Sequence, residues 1–362
     1  MIGIRPTALG SHRAADQSQV QTVPTKIATV LEFVIAKTRA LHSQLYEGDR
    51  LNRLLSRRGL PELAADLAPT ETLASHSALE RRLVERYAES LALLWQFLEA
   101  PRDRLMAALA TRLQVENVKV ILRSHLSRGR APAAPLPVIA LPEPFRWEGF
   151  NPQELDTVRA VLDAIPEPTL RRAAAEALVL YTGDPVPLYL EAGLDRGYFS
   201  LLAEASAELG GRDRRDIEPM LEFERNLHNL MLILRARANH GLDPGVVTRL
   251  TAPAANGRPD PWIAEAAQRR SPDDIVARAP RSLRRLLAGG PADLPGIERR
   301  LWQGYYSLAN RVYYQTFFSM ACPYAFAAVK RMELANLITV VEAVRYGLPT
   351  EQTASRLLRP AA

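Results

Sequence analysis

NVKVILRSHLSRG at residues 117–129, NLMLILRARANHG at residues 229–241 and NLITVVEAVRYG at residues 336–347 are three versions of one stretch of sequence. Each begins at an asparagine, continues with apolar residues at intervals of three and four, and ends at a glycine. That spacing predicts a helix with one apolar side that packs against neighbouring helices. The stretch recurs with a period of roughly 110 residues, which is typical of tandem structural repeats.

A tyrosine keeps the same register with each asparagine. The segment LERRLVERY ends at Tyr87 and resembles IERRLWQGY, which ends at Tyr305, while GYFSLL around Tyr198 resembles GYYSLA around Tyr305. These tyrosines precede the asparagines of the three stretches by 30, 31 and 31 residues. Two markers in one register indicate that a single helical building block occurs three times in succession.

Each stretch is expected to end in a sharp corner between two helices. Glycine is favoured just past a helix end, where the backbone turns left-handed, and proline can begin the next helix but cannot continue the last one. The corner residues, with each proline within three positions of its glycine, are Gly129 and Pro132, Gly241 and Pro244, and Gly347 and Pro349.

The chain as a whole is predicted to be all-α. Alanine, leucine, arginine and glutamate dominate at helical spacing, and sustained alternation of apolar and polar residues is nearly absent. Two proline-containing segments interrupt the helices and divide the chain. We predict a flexible N-terminal extension at 1–25, helical repeats at 26–130, 153–250 and 262–359, a proline-rich linker at 131–152 and a second linker at 251–261.

Composition limits the class of protein. Hydrophobic residues make up 47% of the 362 residues, which is enough for substantial cores and excludes wholesale disorder. The single cysteine, Cys322, excludes an intramolecular disulfide and indicates a reducing compartment. The most apolar run, residues 317–329, contains Pro323 and is too short to span a membrane. The formal net charge of +6 is spread among 40 acidic residues, which favours a solvated mixed surface over a basic contact patch.

No arrangement of residues points to catalysis or to a cofactor. The sequence has no glycine-rich phosphate loop followed by lysine, no zinc spacing among its six histidines and no nucleophile elbow. Cys322 lies in an apolar run, and Glu222 and Glu224 belong to a charged region of the kind that normally faces solvent. We therefore expect no enzyme activity, no cofactor, no metal site and no small-molecule substrate.

Two features leave alternatives open. The aromatic residues between Tyr305 and Phe318 could form a packed core or protein interface, which their helical spacing favours, or could stack on nucleic-acid bases. The asparagines Asn117, Asn229 and Asn336 could line a shared polar cavity, or each could satisfy a neighbouring helix end inside its own repeat.

The repeated helix resembles the signature of a known family. Residues 116–123, ENVKVILR, and 229–235, NLMLILR, are similar to the pattern E-N-[LV]-K-x-[IL]-L-R of the C subunit of V/A-type rotary ATPases, which is called the d subunit in eukaryotes. KTRALHSQLYEGDRLNRLL at residues 37–55 is similar to the first helices of that family, and the resemblance extends from about residue 26 to residue 359. The third stretch departs from the pattern, because Glu342 replaces the arginine.

The resemblance implies three similar helical domains arranged as a funnel around a pseudo-threefold axis. It implies a non-catalytic rotor component, a socket that couples the D and F subunits of the central stalk to the proteolipid ring of the membrane and so serves H+ or Na+ transport. The stator component, called I or a, is a further expected neighbour, and nucleic acid is not an expected partner. The expected location is the cytoplasmic face of the membrane, as a peripheral protein.

The candidate residues for contact with the stalk or the ring are the repeated polar positions of the motif. Arginines in a socket would complement an acidic stalk tip and steer its assembly. The alternative function is a helical-repeat scaffold that binds an acidic protein partner or nucleic acid. The candidate residues are Asn117, Arg123, Asn229, Arg235 and Asn336.

Overall fold

The computed structural model of the chain describes residues 22–127, 138–151, 154–254, 257–290 and 293–360. Within these ranges the secondary structure is helical and contains no strand, which confirms the all-α prediction. Residues 1–21 of the predicted extension lie outside the described residues, and residues 22–25 form the start of the first helix. The predicted corner at Gly129 and Pro132 also lies outside them.

The helices follow one another with short connections. The first five are α1 (Thr22–His42), α2 (Gly48–Leu54), α3 (Leu60–Leu67), α4 (His76–Trp95) and α5 (Arg102–Leu126). Next come α6 (Val158–Asp163), α7 (Pro168–Gly183), α8 (Pro187–Ala207) and α9 (Gly211–Leu234), which continues as a π-helical turn (Arg235–Asn239). The last seven are α10 (Pro244–Leu250), α11 (Pro261–Ala267), α12 (Pro272–Val276), α13 (Arg281–Leu287), α14 (Leu294–Gln315), α15 (Ala321–Arg345) and α16 (Thr350–Arg356).

Local sequence explains where several helices begin and end. Ser75 and Thr157 each accept a hydrogen bond from a backbone N–H of the first turn of α4 and α6, which satisfies a donor that has no partner within the helix. Pro244 stands in the first turn of α10, where its missing N–H costs nothing. Gly241 and Gly347 have φ values of 62° and 64°, which confirms the left-handed corners predicted for the second and third stretches.

The longest helices close into a ring. We call α4, α8 and α14 the tyrosine helices, because they carry the three aligned tyrosines, and α5, α9 and α15 the asparagine helices. The helix α5 packs against α8, α9 packs against α14, and α15 packs back against α4. The chain itself runs through the first two junctions, whereas the α15–α4 contact, here called the seam, joins the end of the chain to its beginning.

Two apolar clusters hold the ring together. The larger one extends from α1 to α15 and takes in most of the buried aliphatic and aromatic side chains. The smaller one lies at the seam, where Leu54 and Leu63 of the first helices meet Leu337 and Val341 of α15. All four of these side chains are less than a twentieth exposed, so the seam has an apolar contact of its own.

Glycines let one helix pair approach closely. A Cβ added to Gly193 of α8 would lie 2.2 Å from the Cβ of Ala177 of α7, and one added to Gly197 would lie 2.8 Å from a methyl group of Leu170. Neither distance can be accommodated without displacing a helix. The glycine before Tyr198 therefore sets how deeply α8 packs on α7.

Candidate functional site

Each of the three repeated asparagines is buried and forms two hydrogen bonds with one backbone residue. The side-chain amide donates to the carbonyl of that residue, and the amide oxygen accepts from its N–H. Between the two open alternatives, the structure therefore shows the local one. The pairs are Asn117 with Ile139 at 3.0 and 2.9 Å, Asn229 with Ala252 at 2.9 and 2.8 Å, and Asn336 with Leu358 at 2.8 and 2.7 Å.

These asparagine clamps fasten the chain that follows each asparagine helix. In the first two copies the clamped residue lies in a segment predicted as a linker, and in the third it lies beyond α16. The first of these segments also buries Leu141 and Phe145, and the carbonyl of Phe145 accepts a hydrogen bond from Gln114 of α5 at 2.8 Å. The described part of the proline-rich segment is thus packed on the helices.

The two predicted arginines lie at the ring junctions. Arg123 of α5 forms an ion pair with Glu191 of α8 at 2.7 Å, and Arg235, which follows α9, pairs with Glu298 of α14 at 2.8 Å. Their side chains are 55% and 47% exposed, so each pair is at the surface and remains within reach of another molecule. The prediction that they contact a stalk or a ring is not tested by this placement.

A buried ion cluster occupies the centre of the ring. Glu224 of α9, whose side chain is 1% exposed, lies 2.7 Å from the guanidinium of Arg331 and 3.4 Å from that of Arg112. Tyr305 donates a hydrogen bond to its second oxygen at 2.8 Å. Burial opposes ionisation of Glu224, but Arg331 and Arg112 outweigh it and lower the pKa of this carboxyl below its usual value.

The three aligned tyrosines surround this cluster. Tyr87, Tyr198 and Tyr305 are at most 5% exposed, and burial raises the pKa of all three phenols. The guanidinium of Arg112 lies over the ring of Tyr198, 5.5 Å from its centroid, and that of Arg331 lies 5.7 Å from the centroid of Tyr305. At this level the middle of the ring is filled by side chains.

Sequence reasoning missed this cluster and placed Glu224 in solvent, which was wrong. Glu222, two residues earlier, is exposed as expected. The signal was present in the register, because Arg112, Glu224 and Arg331 each stand five residues before their asparagine. One column of the aligned repeats therefore holds three charged residues of mixed sign, which is the arrangement that can pair around an axis.

The asparagine helices are also joined where they begin. Asp213 in the first turn of α9 accepts from the guanidinium of Arg102 at the start of α5, at 2.7 Å, and from the backbone N–H of Met320, just before α15, at 2.9 Å. Towards their C-terminal ends α5 and α9 separate, and a cavity of about 250 Å3 lies between them. The cavity is lined by both signs of charge, among them Arg112, Lys119 and Glu224.

The late aromatic residues divide into two groups. Tyr305, Tyr306 and Tyr313 are buried, as expected for a core. Tyr314, Phe317 and Phe318 are between 50% and 62% exposed, and we call them the aromatic corner, because they lie where α14 turns into α15. Phe318 has a φ of 64°, an unusual backbone conformation for a residue with a large side chain. The corner is next to Met320, at the end of the ring where the asparagine helices meet.

Two further properties of the described residues bear on function. None of their helices combines the length and the apolar character that crossing a membrane requires. Within the same residues, no group of three or more histidine, cysteine, aspartate or glutamate side chains is arranged to hold a metal ion.

The fold and the site define a class: an all-α protein whose paired asparagine and tyrosine helices close into a ring around a buried ion cluster. Comparison with protein families identifies the particular one. The family model of the ATP synthase (C/AC39) subunit matches residues 34–356, and the chain belongs to this family. The match confirms the resemblance read from the sequence, and membership makes the chain a component of a V/A-type ATPase. A search of curated proteins gave no match.

Proposed function

We propose that this chain is a non-catalytic rotor component of its ATPase, a socket that couples the D and F subunits of the central stalk to the proteolipid ring of the membrane. The observation that carries the proposal is the arrangement of the asparagine helices. They are held together at their beginnings by Asp213 and in the middle by Glu224, and they separate towards their C-terminal ends. Such an arrangement is closed at one end and can admit another molecule at the other.

The open end is the proposed contact with the stalk. Arg123 and Arg235 lie there, and the cavity between α5 and α9 reaches down to the central ion cluster. Since each arginine already has a glutamate partner, its charge would act on a stalk mainly through the unused N–H donors of the guanidinium. The buried asparagines would act indirectly, by fixing the chain that leaves each of these helix ends.

The closed end is the proposed contact with the membrane ring. The aromatic corner lies at this end, about 36 Å from the far end of α15 if its 25 residues each rise 1.5 Å. Exposed aromatic side chains are enriched where proteins bind one another or meet a membrane surface. A torque-transmitting spacer needs two such separated contact ends and stiff helices between them. We place the protein, in this role, at the cytoplasmic face of the membrane.

Co-purification tests the role directly. The chain would be produced with the D and F stalk proteins, and separately with the proteolipid ring in detergent, at low and at high salt. We expect stable complexes with both, and loss of the stalk complex alone when Arg123 and Arg235 are both changed to glutamate. Arg159→Glu with Arg172→Glu is the matched control, because these arginines are exposed elsewhere on the second repeat.

Three results would count against the role. Failure to bind both partners at low salt would overturn it, and an unchanged stalk complex in the Arg123 and Arg235 double variant would move the stalk contact elsewhere. Tight binding of DNA or RNA that falls steeply with salt would instead support the alternative scaffold function.

A further inference from the structure

The seam differs from the two junctions that the chain runs through. At those junctions the arginine lies six residues after the repeated asparagine, and its glutamate partner lies seven residues before the repeated tyrosine. The same two positions at the seam hold Glu342 and Glu80. A pair of carboxyl groups therefore occupies the place that an arginine and a glutamate occupy elsewhere in the ring.

The geometry brings the two carboxyl groups together. Glu80 and Glu342 lie within hydrogen-bonding reach of each other, and one oxygen of Glu80 is buried with no donor from the described residues. Two ionised carboxylates cannot share a hydrogen bond, whereas a carboxylic acid can donate one to a carboxylate. The contact is favourable only while the pair retains a proton.

Few other charges act on Glu80. The charged groups that influence its carboxyl are Glu342 and Arg345, both on α15, and none comes from the described parts of α1 and α5, which also pack against α4. Arg345 is itself paired with Glu342 at 3.3 Å. On α4 the nearby Arg82 instead pairs with Glu71, Glu85 and Glu89. Burial and the neighbouring Glu342 together raise the pKa of Glu80 to about 7.

We propose that Glu80 and Glu342 form a proton-operated latch, which holds the seam closed while the pair shares a proton and loosens it when both carboxyl groups are ionised. The seam is the one place where such a latch can act, because the chain runs through the other two junctions. The apolar cluster at the seam remains, so loosening means a wider and more mobile α15–α4 contact rather than dissociation.

The direction of the pH dependence follows from the raised pKa. A carboxyl that is harder to ionise in the folded protein contributes most to closure below its ordinary pKa of 4.5, and the contribution is lost as the pH rises through about 7. The arginine–glutamate pairs at the other junctions keep their charges over this range. If the chain is a stalk socket, a step that rests on the proposed function, the ring would widen at the seam to admit the stalk.

Distances measured between spin labels across the seam test the latch in the isolated chain. With the buried Cys322 replaced by serine, labels would be placed at Ser77 and Tyr346, which are exposed on either side of the seam. The control pair is Ser127 and Pro187, at the corresponding places across the α5–α8 junction. From about pH 6 to about pH 8.5 the ionised fraction of Glu80 rises roughly tenfold. We expect the seam distances to lengthen and broaden, and the control distances to stay unchanged.

Two variants connect that result to the carboxyl pair. Glu80→Gln can donate a hydrogen bond but cannot ionise, and Glu342→Arg rebuilds the pair found at the other junctions, so either should keep the seam distances short at both pH values. Glu298→Gln, at the α9–α14 junction, is the matched control and should respond as the wild type does. If Glu80→Gln fails to fold, Glu342→Arg alone carries the test.

Seam distances that are the same at both pH values in the wild type would overturn the latch. So would a pH response that persists in Glu80→Gln or in Glu342→Arg. Because no stalk is present, this outcome is independent of stalk binding: a working latch with no stalk complex would reject the socket role, and a stalk complex without a pH response would reject the latch.

Discussion

The centre of the ring and its seam each depend on a glutamate, and the two glutamates are opposite in behaviour. Glu224 is almost completely buried, yet two arginines keep its pKa below the usual value. Glu80 is only partly buried, yet burial together with a facing carboxyl raises its pKa to about 7. The neighbours that each site supplies, more than the extent of burial, decide which glutamate is charged at neutral pH.

The largest effect is expected from removing the charge at the centre. Glu224→Gln leaves Arg112 and Arg331 close together without a counter-charge, and breaking a buried ion pair in this way costs about 3 to 5 kcal/mol. Urea denaturation followed by far-ultraviolet circular dichroism would measure the loss. Glu222→Gln, which changes an exposed neighbour, should leave the free energy of unfolding nearly unchanged.

A double variant shows whether charge is the cause. Glu224→Leu with Arg331→Met should recover part of the loss, because the remaining Arg112 is a quarter exposed and can turn towards water. A Glu224→Gln protein that loses less than about 1 kcal/mol would mean that the cluster is solvated in solution.

Acid should act on the centre in the sense opposite to its effect on the seam. Burial lowers the pKa of His228 to about 4, so the neutral ring favours folding above the ordinary pKa of 6.5, and this contribution is lost as the pH falls towards 4. The shift corresponds to about 3 kcal/mol. His228→Phe should remove that part of the pH dependence of unfolding.

The difference between variant and wild type isolates His228 from the seam, because Glu80 is the same in both proteins. His240→Gln is the control, since this histidine is exposed. Identical pH profiles of the wild type and His228→Phe between about pH 4.5 and pH 7 would contradict the buried neutral histidine.

The asparagine clamps should give the next largest effect. Asn229→Ala removes two hydrogen bonds from a completely buried site and leaves both backbone groups of Ala252 without a partner, which costs about 2 kcal/mol. Thermal denaturation should show a lower midpoint, whereas Asn151→Ala at an exposed site should not. An unchanged midpoint in Asn229→Ala would mean that water replaces the amide.

The smallest effect is expected at a junction that the chain runs through. Arg235 and Glu298 are 47% and 37% exposed, so their pairing contributes about 0.2 to 1 kcal/mol. A double-mutant cycle with alanine at both positions should give this coupling energy, with the same value at about pH 6 and about pH 8.5. A coupling that changed between these pH values would remove the contrast with the seam.

The sequence predicted the local features of the fold and left its centre unseen. The asparagine and tyrosine register, the all-α class and the left-handed Gly241 and Gly347 depend on residues close together in the chain, where periodicity and corner chemistry suffice. The ion cluster depends on which face of each asparagine helix meets the axis. That is fixed by packing among helices more than 100 residues apart, so the alignment of Arg112, Glu224 and Arg331 could be read only once the ring was known.

The candidate site followed the same division. The arginines were rightly singled out as repeated polar positions, but the glutamates that pair with them belong to the next repeat and have no local signal. The asparagines were left between two roles, and a partner 22 or 23 residues further along decided the matter. The departure at Glu342 was visible in the sequence, whereas its partner Glu80 was not.

The seam also sets the order in which the protein can be completed during translation. Its polar anchor, the hydrogen bond from the backbone of Tyr46 to Glu333, joins residues 287 positions apart. Since domains form from the N-terminus onward as the ribosome delivers the chain, Leu54 and Leu63 wait for α15 with their apolar surface uncovered. Contacts of such high contact order form late, so nascent chains that stall before α15 should be the ones that aggregate or require a chaperone.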